Sequence, residues 1–196
     1  MSKVLYVGWF GLPETAAGIR VFQIAKLLRE SGNNIAFLCL SQPGLKKNQE
    51  IQYDGFKYIR KRQFESRIKN GINTFCGVYD LKVIKEIIEI EKPDTVIVYN
   101  DKERLTGQII SFCHKRSISV GADVTEWYEI SRSRKWDRIV AKNVDYRIRT
   151  MDPKLDFIIS ISPFLTTYYR SHGCKNVIEI PPIIDCVKSE IMPTSL

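Results

Sequence analysis

The sequence predicts an α/β fold: a doubly wound, mostly parallel sheet of about six or seven strands with helices on both faces. Three observations predict it. Short apolar runs alternate with stretches of helical period through nearly the whole length. The first strand, first helix and second strand fit within about forty residues, the span of a parallel, right-handed crossover unit. The chain has 196 residues, 44% hydrophobic and 27% charged, which suits one well-buried domain.

The elements follow in order. "KVLYVG" (3–8) is a short apolar run ending in glycine, a buried strand. From Gly18 to Ser31 the period changes: Val21, Ile24, Ala25 and Leu28 share one helix face, and Gly32 marks its end. "NIAFLCL" (34–40) is a second buried strand. Residues 41–80 are less regular, with a short strand at "FKYIRK" (56–61) and a helical period in "FESRIKNGINTF" (64–75) that Gly71 interrupts. Leu81, Ile84 and Ile88 stripe a helix over 80–92. Pro93 follows, then the strand "DTVIVY" (94–99). A helix with Leu105, Ile109 and Phe112 on one side covers 104–116, and "ISVGAD" (118–123) is a strand. A basic helix runs over 134–150, then come a strand "FIISIS" (157–162), a helix over 163–172 ending at Gly173, and a strand "NVIEIP" (176–181). Residues 1–181 therefore read as the domain. Residues 182–196, with adjacent prolines and no period, read as a linker.

In open α/β sheets, ligands bind beyond the carboxyl ends of the strands. The loop 9–17 lies at that edge, and Gly18 opens a helix whose N–H groups and dipole attract anions. A glycine there also lets a phosphate or sugar approach the backbone. Arg20 in the first turn opposes the dipole. It has either an anion beside it that both serve, or no partner but water. The loop lacks G-x-x-x-x-G-K-[ST], and Gly8 and Gly11 lack G-x-G-x-x-G spacing, so ATP and NAD are set aside. Ser162, ahead of Pro163, reads as a helix N-cap.

Thirty basic against twenty-two acidic residues give a net charge of +8, favouring anionic partners. Two regions carry much of it, 46–69 and 132–149. In the second, Trp136, Val140, Val144 and Ile148 repeat every four residues among basic residues. The stripe reads as core-facing, while the basic back is either solvated or set against an anionic membrane surface. No helix-turn-helix, zinc-finger or RNP pattern is present, so no specific nucleic-acid partner is expected. The five cysteines are odd in number and widely spaced, and the two histidines, His114 and His172, form no H-E-x-x-H. Buried reduced thiols are expected and a metal site is not. The N-terminus lacks the apolar core and cleavage site of a signal peptide, so a cytoplasmic protein is expected, peripheral on the inner membrane face if the basic back meets a membrane.

The segment "AAGIRVFQIAKLLRESGNNIAFL" after a strand and a small-residue loop resembles the start of retaining GT-B glycosyltransferases of family 4. Those carry two small residues opening the helix, here Ala17 and Gly18, and usually a histidine where this chain has Asn33 or Asn34. "GADVTEWYE" (121–129) is similar to their acceptor-side segment. "FIISISPFLTTYYRSHGCKNVIEIPPIID" (157–185) is similar to the strand, helix, glycine and strand leading to P-N-G-V-D. Pro182 and Ile183 stand where that motif has its asparagine and glycine, so no role is carried over from those two.

The resemblance covers nearly the whole chain and one half of the family's architecture, in which two Rossmann-like domains face a cleft. It implies an acceptor-side N-terminal domain of an enzyme moving a hexose from a nucleotide-diphosphate sugar. The acceptor would be a glycan or lipid-linked molecule in cell-surface polysaccharide synthesis. The donor half would be a missing C-terminal domain or a separate subunit, and this chain alone would be inactive. On that reading Ala17, Gly18 and Arg20 meet the donor's phosphates or sugar. Asn100, Asp101, Asp123, Glu126, Trp127 and Tyr128 then position the acceptor, and no catalytic base is assigned. Trp127 either stacks on a sugar ring or packs into the domain, and Glu126 either binds hydroxyls or is solvated. Turn chemistry alone also accounts for Asn100 and Asp101. The alternative function is a non-catalytic α/β module whose basic surface binds nucleic acid or another anionic partner.

Overall fold

The computed structural model describes residues 1–12, 15–42, 48–62, 66, 73, 77–100, 103–127 and 135–183, with backbone alone at 41, 42, 62, 103 and 135–137. The order is β1 (Lys3–Gly8), α1 (Ala16–Glu30), β2 (Asn34–Gln42), β3 (Gln49–Tyr53), β4 (Phe56–Arg62), α2 (Val78–Glu91), β5 (Thr95–Tyr99), α3 (Glu103–His114), β6 (Ser119–Val124) and α4 (Lys135–Tyr146). A π-helical turn (Arg147–Met151) and a 3₁₀ turn (Asp152–Lys154) lead into β7 (Phe157–Ser160), α5 (Pro163–Ser171) and β8 (Val177–Glu179). Apart from Ser66 and Asn73, the sequence-predicted helix at 64–75 lies outside the described residues, as do the thiols of Cys76 and Cys186.

The eight strands form one sheet in the order β3-β4-β2-β1-β5-β6-β7-β8. All neighbours run parallel except β3 and β4, which are antiparallel with Tyr53 opposite Phe56. The edge strand β3 is the addition to the expected seven. Its sequence, "QEIQY", has no buried residue and therefore no apolar signal. From β1 the chain moves outward to β2 on one side and, later, to β5 on the other, so the strand order reverses between β1 and β5. Such a reversal opens a crevice above the carboxyl ends.

Because successive residues of a strand point to opposite faces, the sheet has two cores. On one face α1 lays Val21, Phe22, Ile24 and Ala25 over Tyr6, Phe37, Tyr58, Ile97 and Ile159. Phe10 meets Tyr6, Phe37 and Tyr99 edge-on, with ring centroids 6.1 to 6.2 Å apart. On the other face α2 and α3 cover Leu5, Val7, Leu38 and Val98. Farther along that face, Ile148, Leu165 and Tyr169 cover Ala122, Val124 and Ile158. The expected helix stripes hold for α1, α2 and α3: Val21, Ile24, Ile84, Ile88, Leu105 and Ile109 are all buried. The stripe in α4 departs from expectation. Ile148 is buried, but Val140 is 55% exposed.

Cys39 and Cys113 are buried and Cys174 half-buried, none of the three in a disulfide. Burial pushes the Cys113 thiol up to about 12. Among the described residues, no helix is long and apolar enough to cross a membrane.

Candidate functional site at the carboxyl rim

The rim is built first by the start of α1. Thr15 is its N-cap: the hydroxyl oxygen accepts the Gly18 N–H at 2.9 Å and donates to the Gly11 carbonyl at 3.1 Å. A Cβ on Gly18 would lie 1.9 Å from that Gly11 oxygen. The close approach that glycine permits here is therefore the chain's own loop folding onto the helix. The N–H groups of Ala16 and Ala17, which precede any intrahelical partner, complete the first turn.

Arg20 has its anion, and it is Asp123. The guanidinium reaches the carboxylate through Nε at 3.0 Å and Nη2 at 2.8 Å, with the two side chains 6% and 0% exposed. Tyr6 donates its O–H to the same carboxylate at 2.6 Å, and Arg20 Nη1 donates to the carbonyls of Ile180 and Pro181 at 2.8 and 3.4 Å. Burial raises the Asp123 carboxyl above its usual range, against the lowering effect of Arg20 and Tyr6. Burial and the neighbouring carboxylate push the Tyr6 phenol well up. This node ties α1, β1, β6 and the segment after β8 together. It occupies both Asp123 oxygens and leaves Arg20 one Nη2 N–H without a partner among the described residues.

Above the node lies a cavity of about 450 Å³. Ala16, Ala17, Ile19 and Arg20 line it from α1, Tyr99, Thr125 and Glu126 from the ends of β5 and β6, and Ile161, Pro182 and Ile183 from beyond β7 and β8. Asn100 stands behind Thr125. It sits in the left-handed region at φ 40, where asparagine is tolerated, and its amide donates to the Thr125 hydroxyl at 2.5 Å and accepts the Thr125 N–H at 3.2 Å. Glu126 is exposed at the mouth. Burial raises the Tyr99 phenol, which lies 3.4 Å from the Thr125 hydroxyl.

Of the residues singled out in the sequence, Ala17, Arg20 and Glu126 meet in this cavity, Gly18 and Asp123 support it, and Asn100 orients Thr125. Trp127 does not join them. It packs into the domain, its ring 4.5 Å from Tyr168 and 5.8 Å from Phe164, and its indole N–H donates to Asp145 at 3.1 Å. Asp101 and Tyr128 lie outside the described residues. Ser162 caps α5 as expected, accepting the Leu165 N–H. Sequence reasoning missed Tyr99, Thr125 and Ile161, each at or just past a strand end, where the position alone is a signal. It also read Pro182 and Ile183 as linker, whereas both form cavity wall.

Chemically the cavity offers aliphatic walls, two hydroxyls, one carboxylate and one buried guanidinium. That set can bind and orient a hydroxylated ligand. Among the described residues it assembles no nucleophile with an adjacent base and no group of three or more metal-ligating side chains.

No protein-family model and no curated protein sequence matches the chain. Among solved structures, its fold is similar to a trehalose-6-phosphate synthase, with TM-score 0.63 and 8% identity over 94% of this chain and 50% of that one. It is similar to the E. coli trehalose-6-phosphate structure bound with UDP-2-fluoro glucose, with TM-score 0.57 and 8% identity over 94% of this chain and 49% of that one. It is also similar to UDP-GlcNAc 2-epimerase from Neisseria meningitidis bound to UDP-GlcNAc, with TM-score 0.52 and 14% identity over 90% of this chain and 46% of that one. The chain spans about half the length of these structures, and at such identities the likeness is one of fold. The fold is the doubly wound, Rossmann-like α/β half of a GT-B architecture.

Proposed function

We propose that this chain is the acceptor-side half of a glycosyltransferase that moves a hexose from a nucleotide-diphosphate sugar to a glycan or lipid-linked acceptor. The observation that carries the reading is the cavity at the strand-order reversal, where the ends of β5, β6 and β7 and the start of α1 converge on hydroxyl-binding groups. Two lines support it: the fold likeness to structures bound with UDP-sugars, and the ordered resemblance of three sequence segments to family 4, whose members transfer with retention. In this reading Glu126 accepts hydrogen bonds from acceptor hydroxyls at the mouth. Tyr99 and Thr125 bind them deeper, and the donor half comes from further polypeptide.

Calorimetry with a panel of neutral glycosides, beside a turnover assay with UDP-sugars, tests the proposal. The chain is expected to bind a glycoside, to lose about tenfold in affinity as Glu126→Gln, consistent with a hydrogen bond to a charged group, and to turn over no UDP-sugar alone. Robust turnover by the purified chain would overturn the half-enzyme reading. Steeply salt-dependent binding of duplex DNA with no glycoside binding would replace it by a nucleic-acid module.

A further inference from the structure

A second surface lies away from the rim cavity. Between α3 and α4 a groove of about 700 Å³ is walled by Arg104, Gln108, Lys142, Asn143 and Tyr146. Beside it run residues 138–140 of α4. Arg138, Ile139 and Val140 are consecutive and all exposed, Ile139 by 41% and Val140 by 55%. Three consecutive helix positions span about 200° of circumference, so here α4 stands off its neighbours. The next residue, Ala141, is 1% exposed. One turn on, Tyr146 is again 50% exposed.

Arg104, Arg138 and Lys142 are exposed and make no ion pair among the described residues. Asp145, the acid of α4 whose side chain is described, is taken by Arg149 at 2.9 Å and by the Trp127 indole at 3.1 Å. Exposed cations without an ion pair among the described residues, interleaved with exposed isoleucine, valine and tyrosine, call for a partner that is anionic at its surface and apolar just beneath.

We propose that the α3–α4 surface docks on an anionic lipid bilayer. Arg104, Arg138 and Lys142 meet lipid phosphates, while Ile139, Val140 and the Tyr146 ring enter the boundary between headgroups and acyl chains. A soluble anion would leave the aliphatic side chains in water with nothing gained. A second copy in a two-fold interface would set the same cations against one another, on a chain already at +8. Docking requires no sugar, so this inference stands or falls apart from the transfer reading.

Flotation of the full chain with vesicles of phosphatidylglycerol and phosphatidylcholine, against phosphatidylcholine alone, tests it. The chain is expected on the anionic vesicles only. Arg104→Gln, Arg138→Gln and Lys142→Gln should each cost about fivefold in partitioning. Ile139→Asp, and independently Val140→Ser, should weaken the binding that persists at raised salt. All are surface positions, so thermal melts should match the unmodified chain. Equal partitioning on both vesicle types, no partitioning, or full partitioning of the triple charge variant would overturn the proposal. So would duplex DNA binding insensitive to Ile139→Asp, which marks a nucleic-acid surface. A dimer seen by sedimentation and lost in Ile139→Asp would assign the patch to self-association instead.

Discussion

Gly18 has no room for a side chain, because the Gly11 carbonyl occupies the space a Cβ would need. Gly18→Ala should therefore destabilise by about 1–3 kcal/mol through overpacking, read as a lower urea midpoint. Arg20 and Asp123 form a closer dependence. Asp123→Asn removes the counter-charge from a guanidinium that is 6% exposed, and should cost about 3–5 kcal/mol. Adding Arg20→Met should recover part of that loss, because the stranded charge leaves with it, and a double-mutant cycle by chemical denaturation measures the recovery. The sequence pointed halfway to this pair. A cation in the first turn of a helix implied an anion, but the anion is 103 residues away, and no local periodicity names a partner at that distance.

At the scale of elements, α2 is locked to the sheet by its last residue. Glu91 accepts from Lys57 at 2.7 Å and Lys3 at 2.9 Å, joining α2 to β4 and β1. Burial works against its charge, but the hydrogen bonds and charges of the two lysines prevail and hold its carboxyl below the usual range. A folded value below the unfolded one gives stability that is present above the unfolded value, near about 4.3, and is lost as pH falls through the folded value. Glu91→Gln should therefore cost about 1–2 kcal/mol at neutral pH and nothing in strong acid, by denaturation at both. Trp127 belongs to the same scale. Trp127→Ala should loosen α5 by removing its contacts with Tyr168 and Phe164, seen as faster amide exchange there, and leave glycoside affinity unchanged. Element by element, buried strands and one-sided helices were legible because burial writes a period into the chain. The strand β3 was not, since Gln49 to Tyr53 lie on an edge and Ile51, the central apolar residue, is 37% exposed. The start of α4 misled for a related reason: a four-residue apolar repeat states which residues share a face, not what that face meets.

For the molecule as a whole, parallel strands gather their carboxyl ends on one rim, and the reversal of order beside β1 opens that rim into a crevice. This much followed from the alternation of strands and helices, and it placed Ala17, Arg20 and Glu126 together. It did not separate ligand-facing residues from those supporting them, because Asp123 and Glu126 are carboxylates three positions apart that differ in burial alone. The central claim is that Tyr99, Thr125 and Glu126 face one bound ligand with the start of α1. The most direct measurement is a map of backbone amide shifts as a neutral glycoside is titrated into the chain. The account predicts that shifts cluster at 15–20, 99–100, 125–126, 180 and 183, and that Glu126→Gln needs about tenfold more glycoside to reach the same shifts. Shifts centred on Trp127 and α5, or scattered over both ends of the sheet, would contradict it.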